Sequence, residues 1–305
     1  MIKNMKWMIS AILLLCGTMA AQAAQDEKNG TPFFTSEELP NIANFLPDPP
    51  EFESAQFVYD QTQHLWGKLQ RLNEERAQMA INDAVYGMQT MIDIYGPMFG
   101  LDITKEGTPE LYRLLQDVCC TCDSVTVKAK EHHRRLRPYV YYKEGTLVPE
   151  KEEKHAGEGS WPSGHTALGW TAALLLADIN PTAADKILAR AYEHGQSRVI
   201  AGYHWQTDVD AARLAASILY IKLQGNERFQ QQMAKARQEF QEKTGSQTRI
   251  NAPAFRDGSF VATKEPSLHP QSSQRKNRPY TLSGQPATSE TRGIVIENSK
   301  KVVKR

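Results

Sequence analysis

The stretch Gly159-Ser160-Trp161-Pro162-Ser163-Gly164-His165-Thr166, followed at once by an Ala/Leu-rich apolar run over residues 167–179, constrains this chain more than any other feature. Pro162 fixes its own φ, Ser163 is a favoured N-cap, and Gly164 lets a backbone come close to a ligand. The run behind it has helix-forming character, so the turn reads as a helix N-terminus with unpaired N–H groups pointing outward. Such an end attracts an anion through its donors and its partial positive charge. A histidine there, His165, can meet that anion as an acid or a base, and phosphate is the first ligand to consider.

Pro-Ser-Gly-His alone equally fits an ordinary capped loop, and two other segments supply the context. Upstream lies Lys130-Glu131-His132-His133-Arg134-Arg135-Leu136-Arg137-Pro138. Downstream lies Ser197-Arg198, then His204 and Asp208. Together they offer three fixed cations, two histidines and one carboxylate.

A phosphate monoester needs fixed donors on its non-bridging oxygens that strengthen as the phosphoryl group becomes planar. Arg137 and Arg198 can each fork onto two oxygens, Lys130 adds a point charge, and Ser163 with the Gly164 amide completes the cradle. His204 and Asp208 are four apart where a helix begins, which places the carboxylate one turn along the same face. Asp208 can accept from one imidazole nitrogen and leave the other to attack, while His165 protonates the leaving oxygen. His132, His133, Arg134 and Arg135 read as exposed helix residues. Asp210 has no assigned role, and His155 is placed at the pocket mouth.

At 305 residues the chain can bury a substantial core, and its formal net charge of +1 argues against nucleic acid or an anionic membrane as a bulk partner. Residues 1–24 combine Lys3 and Lys6, an apolar run and Ala21-Gln22-Ala23, the pattern of a cleavable secretory signal peptide. No other segment is long and apolar enough to span a bilayer. Cys119, Cys120 and Cys122 predict half-buried helix positions, with one pair open to oxidation in an exported protein. No tetrahedral ligand set accompanies them, so neither metal nor other cofactor is expected.

Residues 33–50 are Pro-rich and acidic, an extended lead-in. Residues 54–95 are helical in pattern, with Phe57, Val58, Leu65, Leu69 and Leu72 as the apolar face. Residues 108–135 form a second amphipathic stretch, and 141–159 a long loop between two motifs. Helices follow over 166–178, 183–197, 207–223 and 226–243. Strand-like alternation is scarce, so the domain over 25–245 is all-α, a helical bundle whose site lies where helix ends and loops converge. From residue 249 on, eleven Lys and Arg outnumber four Asp and Glu, which makes 246–305 a basic low-complexity extension. It is either disordered or, over 280–305, hairpin-like.

The three motifs together resemble the signature of the type 2 phosphatidic acid phosphatase and vanadium haloperoxidase superfamily. Their flanks resemble, more narrowly, the class A bacterial non-specific acid phosphatases: Phe45-Leu46-Pro47-Asp48-Pro49-Pro50, Ala177-Asp178-Ile179-Asn180-Pro181, Gly195 through Trp205, and Asp208-Val209-Asp210-Ala211-Ala212-Arg213. The likeness covers about residues 40–243. It implies an all-α fold, hydrolysis of many phosphomonoesters without a metal, a phosphohistidine on His204, transfer of phosphate to alcohols, and a homodimer. Trp161 stands where that class carries Tyr, which leaves substrate preference open. Residues 280–305 resemble the closing strands of type IX secretion sorting domains, which implies passage from the periplasm to the cell surface or medium. The rival readings are a vanadate-dependent haloperoxidase and a phosphate-binding surface protein without turnover.

Overall fold

The computed structural model describes residues 30–245 and strand residues 280–281, 293–297 and 300–304; the signal-peptide expectation falls outside them. The chain divides into two units, Met1–Arg249 and Ile250–Arg305. The first is helical throughout its described part. In order it carries α1 (Phe57–Gln70), α2 (Glu74–Asn82), α3 (Met88–Phe99), α4 (Pro109–Cys122), α5 (Val127–His133), α6 (Pro138–Tyr142), α7 (Glu152–His155), α8 (Gly164–Ile179), α9 (Ala184–Ile200), α10 (Gln206–Gln224) and α11 (Glu227–Thr244).

The organising helix is α8, which packs against α3, α4, α9, α10 and α11. It is apolar almost all round, and residues such as Leu168, Leu175, Leu176 and Ile179 are buried, as expected for a helix with no solvent face. Small residues let its neighbours approach closely. A Cβ at Gly169 would run into the His194 ring on α9. The ends of α8, α9 and α10 therefore meet at one place rather than being spaced by bulky side chains.

The expected helix over 54–95 is three helices. Asn73 caps α2 by accepting from Arg76 N–H at 3.0 Å. Gly87, at φ 139, starts α3 from a conformation that favours glycine. The stretch between α2 and α3 brings Ala84 and Tyr86 to the site. Likewise 108–135 divides into α4 and α5, and the loop over 141–159 contains the short α7.

The predicted apolar face of α1 is also corrected. Val58, Leu65, Leu69 and Leu72 are exposed, whereas Phe57, Asp60, His64 and Gly67 are buried. The physical reason is specific pairing. Thr207 N–H donates to Asp60 at 2.8 Å, and Gly67 passes so near the Val199 carbonyl that a Cβ there would sit 3.0 Å from its oxygen. Polar complementarity and close backbone contact, rather than leucine burial, choose the docking face.

The cysteines lie on α4 as thiols, with Cys119 and Cys122 buried, so the expected oxidised pair is not formed. Successive α-helical positions point about 100° apart, which turns Cys120 away from the buried face. Burial pushes the Cys122 thiol up to about 12. In the second unit, β1 (Tyr280–Thr281), β2 (Gly293–Glu297) and β3 (Lys300–Lys304) form an antiparallel sheet in that order. Strand pairing thus occupies the positions of the hairpin alternative. Among the described residues, no helix is long and apolar enough to cross a membrane.

Candidate active site

Two helix starts are tied together by one backbone hydrogen bond. Ser163 N–H donates to the Asp208 carbonyl at 3.0 Å, joining the cap of α8 to the first turn of α10. Ser163 Oγ accepts from Thr166 N–H at 3.3 Å and from Thr166 Oγ1 at 3.0 Å, which caps α8. Asp208 Oδ2 accepts from Trp205 N–H at 2.9 Å, doing the same for α10. The N–H groups of Tyr203 and His204 both donate to the Arg198 carbonyl, folding the turn back onto the end of α9. Motifs far apart in sequence are in this way held within a few bonds of one another.

Between them opens a cavity of about 920 Å³ whose wall includes Lys130, Arg137, Gly164, His165, Arg198 and His204. Ser163 and Asp208 are fully buried behind that wall. Ser163 is thus foremost a helix cap, although its own hydroxyl hydrogen remains available to donate. His155 also lines the cavity, as expected; its Nδ1 lies 2.7 Å from Glu158 and its carbonyl accepts from Arg137 Nε at 3.1 Å. Asp210 instead pairs with Gln206 and Arg213. Trp161 packs edge-on to His133 with centroids 4.6 Å apart, is 2% exposed, and does not line the cavity.

The hydrogen bonds assign the tautomer of His204. Arg137 NH1 lies 3.2 Å from His204 Nε2, and a guanidinium can only donate. Nε2 therefore presents its lone pair, and the proton resides on Nδ1, which faces Asp208 Oδ2 at 3.4 Å. The same reasoning fixes His165: its Nε2 lies 3.3 Å from the Ala84 carbonyl, which can only accept, so Nε2 carries a hydrogen. Tyr86 packs edge-on against His165 with centroids 4.9 Å apart, and its hydroxyl donates to Asp123 at 2.6 Å.

Electrostatics favour an anion here. Burial, then Arg137, Lys130 and Arg198, hold His204 well below the ordinary histidine value. Burial, then Arg198, His194 and His204, do the same to His165. Burial and then Arg137 lower Lys130 to about 7, and the same two causes lower Arg198 to about 10. In each case burial is the larger cause and the neighbouring cations add to it. Arg198 Nε and NH1 are buried with no protein partner, orphaned donors that a phosphate oxygen would satisfy, and the guanidinium lies 5.2 Å from the centre of the Tyr203 ring. Lys130 Nζ donates to the Gly159 carbonyl at 2.9 Å. A Cβ at Gly159 would run into the Lys130 carbonyl oxygen, so glycine is required where the two segments lie back to back.

Among His132, His133, Arg134 and Arg135, expected on an exposed helix, His132 and Arg134 are exposed and His133 is partly covered. Arg135 is the exception: it is 5% exposed and pairs with Asp60 and Asp208. The cause is local. Helix α5 stops at His133, Arg134 takes φ 45, and Arg135 leaves the helical period and turns inward. Asp60 was hidden by the leucine pattern of α1, and Ala84 contributes a backbone carbonyl, which no side-chain motif can announce.

Residues 115–223 match the family model described as the PAP2 superfamily. The chain is 45% identical over 196 residues to a non-specific acid phosphatase of Providencia stuartii, covering 64% of this chain and 79% of that protein. It is 34% identical over 223 residues to the non-specific acid phosphatase of Salmonella typhimurium, covering 73% and 89% of the two chains. The chain belongs to the class A non-specific acid phosphatases of the PAP2 superfamily. It is also 30% identical over 227 residues to an acid phosphatase of Zymomonas mobilis, covering 74% and 84%. The activity that follows is phosphoric monoester hydrolysis. The all-α fold read from the sequence is the fold observed in the first unit.

Proposed function

We propose that the chain is an exported, metal-independent acid phosphatase of broad specificity that works through a phosphohistidine on His204. The observation that carries this reading is the Arg137 contact to His204 Nε2, which leaves that nitrogen unprotonated on the wall of a cation-lined cavity. Arg137, Arg198, Lys130 and the Gly164 amide hold the non-bridging oxygens, with Ser163 reinforcing the α8 cap. His204 Nε2 attacks phosphorus, the P–O ester bond breaks, and the leaving oxygen takes a proton from His165. Because His165 Nε2–H is committed to the Ala84 carbonyl, the transferred proton is the one on Nδ1. The bound dianion favours the imidazolium needed for that step, opposing the depression caused by burial and the neighbouring cations.

In the second half, His165 Nδ1 takes a proton from water, the oxygen attacks phosphorus, and the P–N bond breaks with its electrons returning to His204. An alcohol in place of water gives phosphate transfer. Asp208 keeps Nδ1 protonated and stabilises the positive character of the phosphorylated ring. The vanadate-dependent haloperoxidase would use the same cations, but membership among phosphatases favours hydrolysis. The presence of both histidines on one wall speaks against a merely phosphate-binding surface protein. The signal-like residues 1–24 support export, the strands of 280–305 are compatible with a type IX sorting tail, and the exposed leucines of α1 offer a face to a second copy.

Rapid acid or base quenching with ³²P-labelled substrate tests the intermediate. A base-stable, acid-labile phosphoenzyme is expected in the parent chain and absent in His204→Ala, with chelator present throughout. Retained turnover in His204→Ala would remove His204 as the nucleophile.

A further inference from the structure

Behind the cavity wall lies a second charged group that the reaction as written above does not use. Arg135 NH1 donates to Asp208 Oδ1 at 2.6 Å and to Thr207 Oγ1 at 2.8 Å, and its NH2 donates to Asp60 Oδ2 at 2.7 Å. Thr207 closes the ring, its N–H reaching Asp60 Oδ1 at 2.8 Å and its hydroxyl Asp60 Oδ2 at 2.7 Å. Asp60 and Asp208 are fully buried. The guanidinium is boxed by aromatic rings, 5.6 Å from the centre of Trp205 and 6.0 Å from that of Phe52.

This arrangement divides the two oxygens of Asp208. Oδ1 is held by Arg135, and Oδ2 faces Trp205 N–H and His204 Nδ1. The carboxylate is thereby locked in the rotamer that meets the imidazole. Stability alone is a weak reason for it, because well-packed apolar residues often replace a buried ionic triad at no cost. Charge gives a better reason. Arg135 alone would neutralise Asp208, but Asp60 competes for the same guanidinium, so the triad retains a net charge of about −1 next to His204. That charge opposes the cations facing His204 from elsewhere, namely Lys130 on α5, Arg137 before α6 and Arg198 on α9, with His165 on α8 as the remaining titratable neighbour.

We infer that Arg135 and Asp60 are positioning residues for phosphoryl transfer: they orient Asp208 and set the charge that His204 meets as its Nε2 takes up phosphorus. The inference rests on His204 being the nucleophile. The test compares Asp60→Asn, Arg135→Lys and Arg135→Gln with His204→Ala in the full chain, following nitrophenyl phosphate hydrolysis across pH. The acid limb of kcat/KM reports protonation of the attacking imidazole in the free enzyme.

Asp60→Asn removes a negative charge, so its acid limb moves to lower pH and kcat falls about tenfold to a hundredfold as the carboxylate loosens. Inhibition by sulfate, which reads the cation pocket, stays within about twofold on the same reasoning. Arg135→Gln removes a positive charge and moves the limb to higher pH, opposite in sign. Arg135→Lys keeps the charge but not the fork, so the limb stays in place and part of kcat is recovered relative to Gln. Thermal melting checks folding, and if the Gln variant does not fold, the other two still decide. A purely structural role predicts lost folded protein with an unmoved limb in Asp60→Asn, and that result overturns the inference. If His204→Ala abolishes turnover while Asp60→Asn matches the parent in kcat and limb, only this inference fails. If His204→Ala retains turnover, the nucleophile reading fails with it.

Discussion

Lys130 offers a quantitative handle on the cavity. Burial, reinforced by Arg137, lowers it to about 7, so it is a cation below that pH and loses its charge above it. A tetrahedral dianion binds the protonated form preferentially, so affinity is present at acid pH and is lost as pH rises through 7. From pH 6 to pH 8 the protonated share of such a group falls about tenfold, which corresponds to ~1.4 kcal/mol of binding free energy. Sulfate suits the measurement because its own charge is constant across that window. Any proton that the dianion draws onto His165 contributes alike in the parent chain and in a Lys130→Met control, so the difference between the two isolates Lys130. The assay is the inhibition constant of sulfate against nitrophenyl phosphate at half-unit steps of pH, in the parent chain and in Lys130→Met. Across that range the parent should lose about tenfold more affinity than the variant, which binds more weakly at pH 6. A parent that falls no more steeply than the variant would refute the assignment of Lys130 as the titrating cation.

The Asp83 cluster carries a stability prediction. Asp83 is buried, takes both terminal nitrogens of Arg190 and accepts from Ser197 Oγ at 2.6 Å, so Asp83→Ala leaves a largely buried guanidinium without its partner. The expected loss is about 3 kcal/mol in urea unfolding, and a loss below about 1 kcal/mol would show that Arg190 finds water instead. Leu65 and Leu69 are exposed, so Leu65→Ser with Leu69→Ser should change the stability of a single chain by about 0.5 kcal/mol or less. If that face covers a second copy, the same pair lowers the sedimentation coefficient towards the monomer value.

Much of the site was legible in the chain because its chemistry depends on residue types that announce themselves. A Pro-Ser-Gly-His turn ahead of an apolar run reads as a helix start, and α8 begins at Gly164 with Ser163 as its cap. His204 and Asp208, four apart, do face each other, although only Asp208 lies on α10 and His204 precedes its extended cap Trp205. Helices α8 to α11 were readable to within a few residues for the same reason, their periodicity being local.

What remained hidden depends on contacts between distant segments. Leucine spacing on α1 indicated a helix but not its buried face, because Asp60 meeting Arg135 and Thr207, and Gly67 meeting the Val199 carbonyl, outweigh the leucines. Arg135 looked like one more exposed cation in a basic run until the left-handed Arg134 turned it inward. The chain by itself determined which groups are suited to meet an anion, since that follows from side-chain chemistry. Only the tertiary structure decided which nitrogen of His204 is left bare and what lies behind Asp208, since those are set by where hydrogen bonds end, and their ends come from residues tens of positions away.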